Sequence, residues 1–415
     1  MNKNNDLAIN GGRPIRSKPM PPRHLIDIEE RKIVLEVLDE SIETGEAYRY
    51  SGKYERKYEK EFVDFMGSDG FADGVNSGTN ALFAAIGALE LEPQSEVIVP
   101  CITDVGGVTP VIYNFLVPVF CDVDSRSYNI SAEQIGPLIT DKTKAIIVAH
   151  ISGEPADIEP IVRLAKENNL LLIEDCSQSP GAEINGKKVG LFGNITIFST
   201  MSSKHHCTGG QGGVVFSRNK NLIENSRQVA DRGKLFINDK FTGKNIKLGL
   251  NCNMDELSAS IGCAQIKKLP GIIKKTNSIG EKIKEYLDIK SNIMNVGWQP
   301  NNSFSVYWFI RIKLNQDKIK VSKSEFCKAL AAEGVPLSDE YRSVPMEQEC
   351  FIDNRLYSYL INNSGSNDSL NAQFPNLEKS LNNHFNIFIR ESFDEQAVND
   401  VLKALTKVEK AYCVN

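Results

Sequence analysis

No stretch of the 415-residue sequence is apolar for anything near the ~18 residues that a membrane-crossing helix requires. The opening residues, Met1-Asn2-Lys3-Asn4-Asn5-Asp6, are polar and run into Ile9-Asn10-Gly11-Gly12 without the apolar core of a secretion signal. A cytoplasmic location with no membrane partner is therefore expected. Excess positive charge is also missing. With 48 Lys and Arg against 53 Asp and Glu the net charge is -5, which gives no general affinity for polyanions and argues against nucleic acid as a partner. An anionic ligand has to be held by local donors. The nine cysteines are odd in number and form no Cys-x-x-Cys pair; Cys101, Cys121 and Cys176 fall within or at the ends of apolar runs, so they read as reduced core residues. No internal repeat is visible.

What the chain does have is apolar material for more than one core. Its 41% hydrophobic and 24% charged content is a globular balance, and its length exceeds what one core ordinarily supports. An N-terminal arm over 1–30, a large domain over 31–268 and a small domain over 269–415 are expected. Apolar runs at 96–100, 118–121, 144–150, 170–173 and 195–198 lack polar alternation, as strands covered on both faces do. Between them, 132–139 and 157–169 carry apolar residues at helical spacing, with Ser131 and Asp157 placed as caps. This alternation predicts an α/β fold, a mainly parallel sheet flanked by helices. Beyond 269 the spacing predicts a helix over 270–287, a strand over 304–312, and helices over 324–333 and 394–412, a smaller α+β unit. The polar run 362–369 reads as an exposed loop.

Two segments carry the chemistry. Glu174-Asp175-Cys176-Ser177-Gln178 closes one apolar run, and Phe198-Ser199-Thr200-Met201-Ser202-Ser203-Lys204 closes another. A lysine to bind a cofactor aldehyde and a carboxylate to keep a pyridine nitrogen protonated are the pair that pyridoxal phosphate needs. Asp175 follows Leu172-Ile173 at the strand end where ligands of open sheets collect. Asn76-Ser77-Gly78-Thr79-Asn80 precedes a helical stretch, so amides and hydroxyls gather where a phosphate dianion is favoured, and Ser199 offers a further hydroxyl. Lys204 lies in a stretch low in charge, ahead of Thr208-Gly209-Gly210-Gln211-Gly212-Gly213, and poor hydration depresses lysine basicity.

Taken together, these segments resemble the DegT/DnrJ/StrS family of pyridoxal-phosphate-dependent sugar aminotransferases. The resemblance runs from about Gly11 to the C-terminus and implies the fold-type I transferase architecture, with a seven-stranded-type sheet. It implies that Lys204 carries the cofactor, that Asp175 pairs with the ring nitrogen and Gln178 with the ring hydroxyl, and that Ser77, Gly78, Thr79 and Ser199 hold the phosphate. Gly249-Leu250-Asn251-Cys252-Asn253-Met254-Asp255-Glu256-Leu257 is similar to the family's Asn-Tyr-Arg-Met-x-Glu-Leu signature, whose asparagine, here Asn251, reaches the cofactor phosphate of the neighbouring subunit. A homodimer with shared active sites is thereby implied.

The chain departs from the family at two places. Pro100-Cys101-Ile102-Thr103-Asp104 puts Asp104 at the cofactor-binding position where an aromatic ring usually stacks on the cofactor, so Asp104 lies against the cofactor, meets substrate instead, or turns away. Cys252-Asn253 replaces Tyr-Arg in the signature. Relatives that act as dehydratases carry histidine in place of the lysine, whereas here Lys204 is kept and His205 follows it. The early Ile9-Asn10-Gly11-Gly12-Arg13-Pro14-Ile15-Arg16 and the Lys204-His205-His206 run are more similar to branches acting on keto-cyclitols or related carbocycles than to the commonest nucleotide-sugar branch. His205-His206 has no Cys, Asp or Glu nearby to complete a metal site, and no metal is expected. Candidate substrate contacts are His150, His205, Tyr48, Arg49, Arg232, Tyr307 and Arg311, of which His150 at a strand end is favoured. The expected activity is transfer of an amino group from glutamate or glutamine to a keto-sugar or keto-cyclitol, with keto-sugar dehydration or an inert cofactor-binding homologue as alternatives.

Overall fold

In the computed structural model, which describes residues 6–237, 240–341, 343–352, 355–366 and 372–414, the apolar runs become the middle of a seven-stranded sheet. Its strands are β1 (Phe71–Val75), β2 (Glu96–Pro100), β3 (Val117–Cys121), β4 (Thr143–Ala149), β5 (Leu171–Asp175), β6 (Ile195–Ser199) and β7 (Gly213–Ser217). They lie in the order β1-β7-β6-β5-β4-β2-β3. Only β7 opposes its neighbours, pairing antiparallel with β1 and β6, while the other pairs are parallel.

Strand neighbours alternate between two separate cores. Val97, Val99, Ile147 and Ile173 belong to one apolar cluster, and Ile98, Ile146, Val148 and Leu172 to another on the opposite face. Burial on both faces is why these runs show no polar alternation, and each such side chain contributes roughly 1.5–3 kcal/mol. Asp175 and Ser199 are the last residues of β5 and β6 rather than residues beyond them.

Several expected elements are realised differently. The 132–139 segment is a short helix, Ala132–Ile135, tightening into a 3-10 turn, Gly136–Leu138, at Pro137, where the missing N–H interrupts the ladder. Neither Ser131 nor Asp157 caps its helix through the side chain. The single strand expected over 304–312 is two. Ser303–Phe304 pairs with Glu183–Ile184, whereas Ile310–Leu314 joins Met294–Val296, His384–Ile387 and Leu337–Ser338 in a four-stranded antiparallel sheet. Tyr307, with φ of 48°, breaks the extended backbone between them. The helix expected from 270 begins at Glu256 and runs as Glu256–Lys290 with Pro270 inside it, so the 268/269 boundary falls within a helix.

Helices Lys323–Ala332 and Glu395–Tyr412 match expectation and are capped by Ser322 and Asp394. Residues 362–364 end helix Arg355–Ser364 instead of forming a loop, and 367–369 lie outside the described residues. The N-terminal segment docks on the second sheet: Leu7 is buried in its core, and Glu333 accepts the Ala8 and Ile15 amides at 2.9 and 3.0 Å. Among the described residues no helix is long and apolar enough to cross a membrane.

Candidate active site

Helix Gly78–Ala88 starts just after β1, and its N-cap Ser77 accepts the Asn80 N–H at 3.1 Å. The unpaired amides of this first turn belong to residues lining a cavity of about 270 Å³, which Asp175, Ser199 and Lys204 also line. Ser199 comes this close because residue 78 lacks a side chain: a Cβ there would lie 2.8 Å from the Ser199 Cβ. Thr79, Asp104, His150 and Gln178 line the same cavity, so β4, β5, β6 and the helix start converge at the carboxyl edge of the sheet.

The electrostatics set two groups against their ordinary states. Burial pushes the Lys204 amine down to about 8, against the opposing attraction of Asp175 and Asp104. Its nitrogen rests 4.0 Å from the centre of the Trp308 ring. Burial likewise raises the Asp175 carboxyl, while the Ser177 amide, which donates to Oδ1 at 2.9 Å, and the Lys204 charge work to keep it ionised. Gln178 is fixed at both ends: Oε1 accepts the Ser152 N–H at 2.7 Å and Nε2 donates to the Tyr341 hydroxyl at 2.9 Å. Asp104 caps the turn Val105–Gly107 by accepting the Gly106 N–H at 2.8 Å, and is exposed on the cavity side of the sheet edge.

His150 reaches the cavity wall with both ring nitrogens engaged. Nδ1 accepts the Ala156 N–H at 3.0 Å, which leaves Nε2 to donate to Glu174 at 3.2 Å. Burial disfavours the Glu174 carboxylate, yet the bond from His150 and the amides of Gly190 and Gly193 hold its carboxyl below the ordinary range. His150, Glu174 and Cys176 stand close enough to share a cation, but the donors around Glu174 and His150 already occupy the lone pairs a metal would take.

The remaining candidates do not line the cavity. Asn251 is exposed, accepting from Asn253 at 2.7 Å. Tyr48 and Arg49 are exposed, and Arg232 is held by Asp231 and the Tyr50 hydroxyl. Tyr307 and Arg311 are both buried in packing roles. The Tyr307 hydroxyl donates to Glu281 at 2.7 Å, and Arg311 binds Glu154 at 2.9 Å and the carbonyls of Arg126 and Trp298. His205 is buried, bonded to the Val306 carbonyl at 3.2 Å, and burial drops its basicity to about 3.

The sequence profile described as the DegT/DnrJ/EryC1/StrS aminotransferase family matches residues 28–406. The chain belongs to that family. A GDP-perosamine synthase of Vibrio cholerae is 33% identical over 295 residues, 70% of this chain and 76% of that protein. An L-glutamine:2-deoxy-scyllo-inosose aminotransferase of Streptomyces fradiae is 33% identical over 229 residues, 55% of this chain and 54% of that protein. An aminotransferase from Psychrobacter cryohalolentis superposes with a TM-score of 0.83 at 25% identity, covering 93% of this chain and 98% of that one. NtdA from Bacillus subtilis, solved with the cofactor PMP bound, superposes with a TM-score of 0.79 at 23% identity, covering 96% of this chain and 87% of that one.

This DegT-family protein is an aminotransferase, and its residues fit pyridoxal phosphate. The first turn of Gly78–Ala88 with the Ser77, Thr79 and Ser199 hydroxyls is a donor set for a dianion, and a side chain at Gly78 would block it. Lys204 offers an amine that sheds its proton near neutrality, opposite a buried carboxylate. Sequence reasoning missed Trp308 and Tyr341, which line the cavity from the far part of the chain. Trp308 was hidden inside an apparent strand. The signal that could have exposed it is the run Ser305-Val306-Tyr307-Trp308-Phe309, too bulky on both sides for a strand with one wet face.

Proposed function

We propose that this aminotransferase moves an amino group from glutamate or glutamine to the ketone of a keto-sugar or keto-cyclitol, working as a cytoplasmic homodimer. The observation that carries the reading is the meeting of Lys204 and Asp175 in one buried cavity beside the first turn of helix Gly78–Ala88. Support for the acceptor class comes from the two relatives, one named for GDP-perosamine and the other for 2-deoxy-scyllo-inosose with glutamine. Support for the dimer comes from the Asn251 segment, where Ile246, Leu248 and Leu250 are 51%, 96% and 54% exposed, an apolar surface that a second copy would cover. The arm over 1–30, the large unit to 268 and the small unit from 269 remain the proposed division, with helix Glu256–Lys290 shared across the last boundary.

When bound, pyridoxal phosphate supplies an aldehyde for the amino group and a ring that draws electrons from the carbon losing a proton. Lys204 would hold that aldehyde, and its amine would take the proton from the donor carbon and give it back, which a basicity of about 8 permits near neutral pH. Asp175 presents a buried negative charge that favours a protonated ring nitrogen. Ser77, Gly78, Thr79 and Ser199 would hold the phosphate, and Gln178, clamped by Ser152 and Tyr341, would orient the ring hydroxyl. Trp308 covers the amine and limits water there.

The test adds glutamate or glutamine alone to the cofactor-loaded protein and follows its absorbance. Conversion to the amino form of the cofactor with release of a keto acid is expected, and nucleotide-linked keto-hexoses or inososes should then restore the aldehyde form. Silence with both donors, or a deoxy product without amino transfer, overturns the proposal.

A further inference from the structure

The loop carrying Lys204 is irregular, and the carbonyls of Ser203, Lys204 and His205 receive no backbone N–H among the described residues. A single side chain from the N-terminal arm takes all three. Arg23 donates through Nη1 to the Ser203 carbonyl at 3.2 Å and to the Lys204 carbonyl, and through Nη2 to the His205 carbonyl at 2.8 Å. Its Nε donates to Glu391 Oε1 at 2.7 Å, and the two side chains are 14% and 12% exposed. Trp308, whose ring faces the Lys204 amine, donates Nε1 to the same Ser203 carbonyl at 3.3 Å. Arg23 itself does not line the cavity.

We infer that Arg23 is a positioning residue for the Lys204 amine, with Glu391 fixing the plane of its guanidinium. A planar fork can satisfy several carbonyls at once, which a lysine ammonium on a flexible stem cannot do in one geometry. The free rotations of Lys204 begin at a backbone that Arg23 pins on both sides, so the direction in which the amine enters the cavity is set by the arm. The fixed end of the clamp is Glu391, which follows the second sheet's strand His384–Ile387, so the arm links that sheet to the loop bearing the lysine. This inference rests on the proposed role of Lys204.

The test compares full-length wild type with Arg23→Gln, Arg23→Lys, Glu391→Gln and the control Arg16→Gln, which loosens the arm at Asp400 without touching the loop. Hydrogen exchange in the cofactor-free proteins reads the Ser202, Lys204 and Thr208 amides, which bond to Gly210, Met201 and Thr200. Arg23→Gln should speed them at least about tenfold, Arg23→Lys and Glu391→Gln less, and Arg16→Gln not measurably. In the loaded enzymes, Arg23→Gln should slow the donor half-reaction about tenfold while the donor KM moves less than about threefold, because Arg23 touches no ligand. Exchange in Arg23→Gln within about twofold of wild type, or an equal rise in Arg16→Gln, overturns the inference. Borohydride trapping and peptide mapping on wild type identify the cofactor lysine separately, so a label away from Lys204 sinks the proposed function without altering what the exchange says about the loop.

Discussion

The Lys204 nitrogen lies 4.0 Å from the centre of the Trp308 ring, an aromatic face where an ordinary lysine would have water. The ring attracts a cation, which favours the protonated amine. It also strips water from that amine, and burial is the larger influence, since the net effect is a fall to about 8. Replacing Trp308 by Ala admits water and should move the amine back up toward an ordinary lysine. The pH dependence of Lys204 acylation in the cofactor-free protein measures it, and a midpoint still near 8 would mean that the ring is not what dries the site.

The same depression makes a stability prediction with a definite sign. In the unfolded chain a lysine titrates near ~10.4, and in the folded protein this one titrates at about 8. Below about 8 both states are protonated and the full burial penalty opposes folding; as pH rises from there toward ~10.4, the folded state sheds its proton first and the penalty fades. Lys204→Met should therefore stabilise the cofactor-free protein at pH 7, by an amount on the order of 3 kcal/mol, and by progressively less at higher pH. Urea unfolding of both proteins at several pH values checks it; a gain that grows with pH contradicts the mechanism.

The central sheet was legible because burial on both faces leaves an unbroken apolar signature, so 96–100 and 195–198 mapped closely onto β2 and β6. Asp175 ends β5 and Ser77 caps helix Gly78–Ala88, where chemistry and chain punctuation coincide, whereas Lys204 lies in the irregular loop between β6 and β7 and stood out by its chemistry alone. Trp308 was not, because its position depends on the left-handed backbone at Tyr307, and a short apolar run carries no mark of where it changes sheet. Pro270 misled in the same way: a proline reads as a helix start, yet packing of helix Glu256–Lys290 against the rest of the core tolerates it in the interior. His150 at a strand end reads as a substrate contact, and only tertiary contacts with Ala156 and Glu174 reveal that its nitrogens are taken.

Arg311, a candidate substrate contact by sequence, is wholly buried and bonded to Glu154 at 2.9 Å. Removing one member strands the other charge out of water, which costs about 3–5 kcal/mol. Arg311→Ala should lower stability by that order, and Glu154→Gln paired with Arg311→Met should recover a substantial part because no lone charge is left. Chemical unfolding of the single and double variants decides this. A double variant no better than Arg311→Ala would show that the lost packing of the long side chain dominates instead.

Asp104 does two separable things at the rim of the cavity. Its Oδ1 caps the Val105–Gly107 turn through the Gly106 amide, and its charge is one of two that raise the basicity of Lys204. Asp104→Asn keeps an oxygen for the cap and deletes the charge, so the Lys204 midpoint should fall further below about 8. Asp104→Phe loses the cap as well, at about 1 kcal/mol. Because the side chain is exposed on the lining of the cavity rather than turned into the fold, a hydroxyl-rich acceptor is its natural partner, and a hydrogen bond to a charged group is worth about tenfold in affinity. Asp104→Asn should accordingly raise the acceptor KM about tenfold while moving the donor KM far less. Equal changes in both constants would reduce Asp104 to a turn cap with a long-range charge.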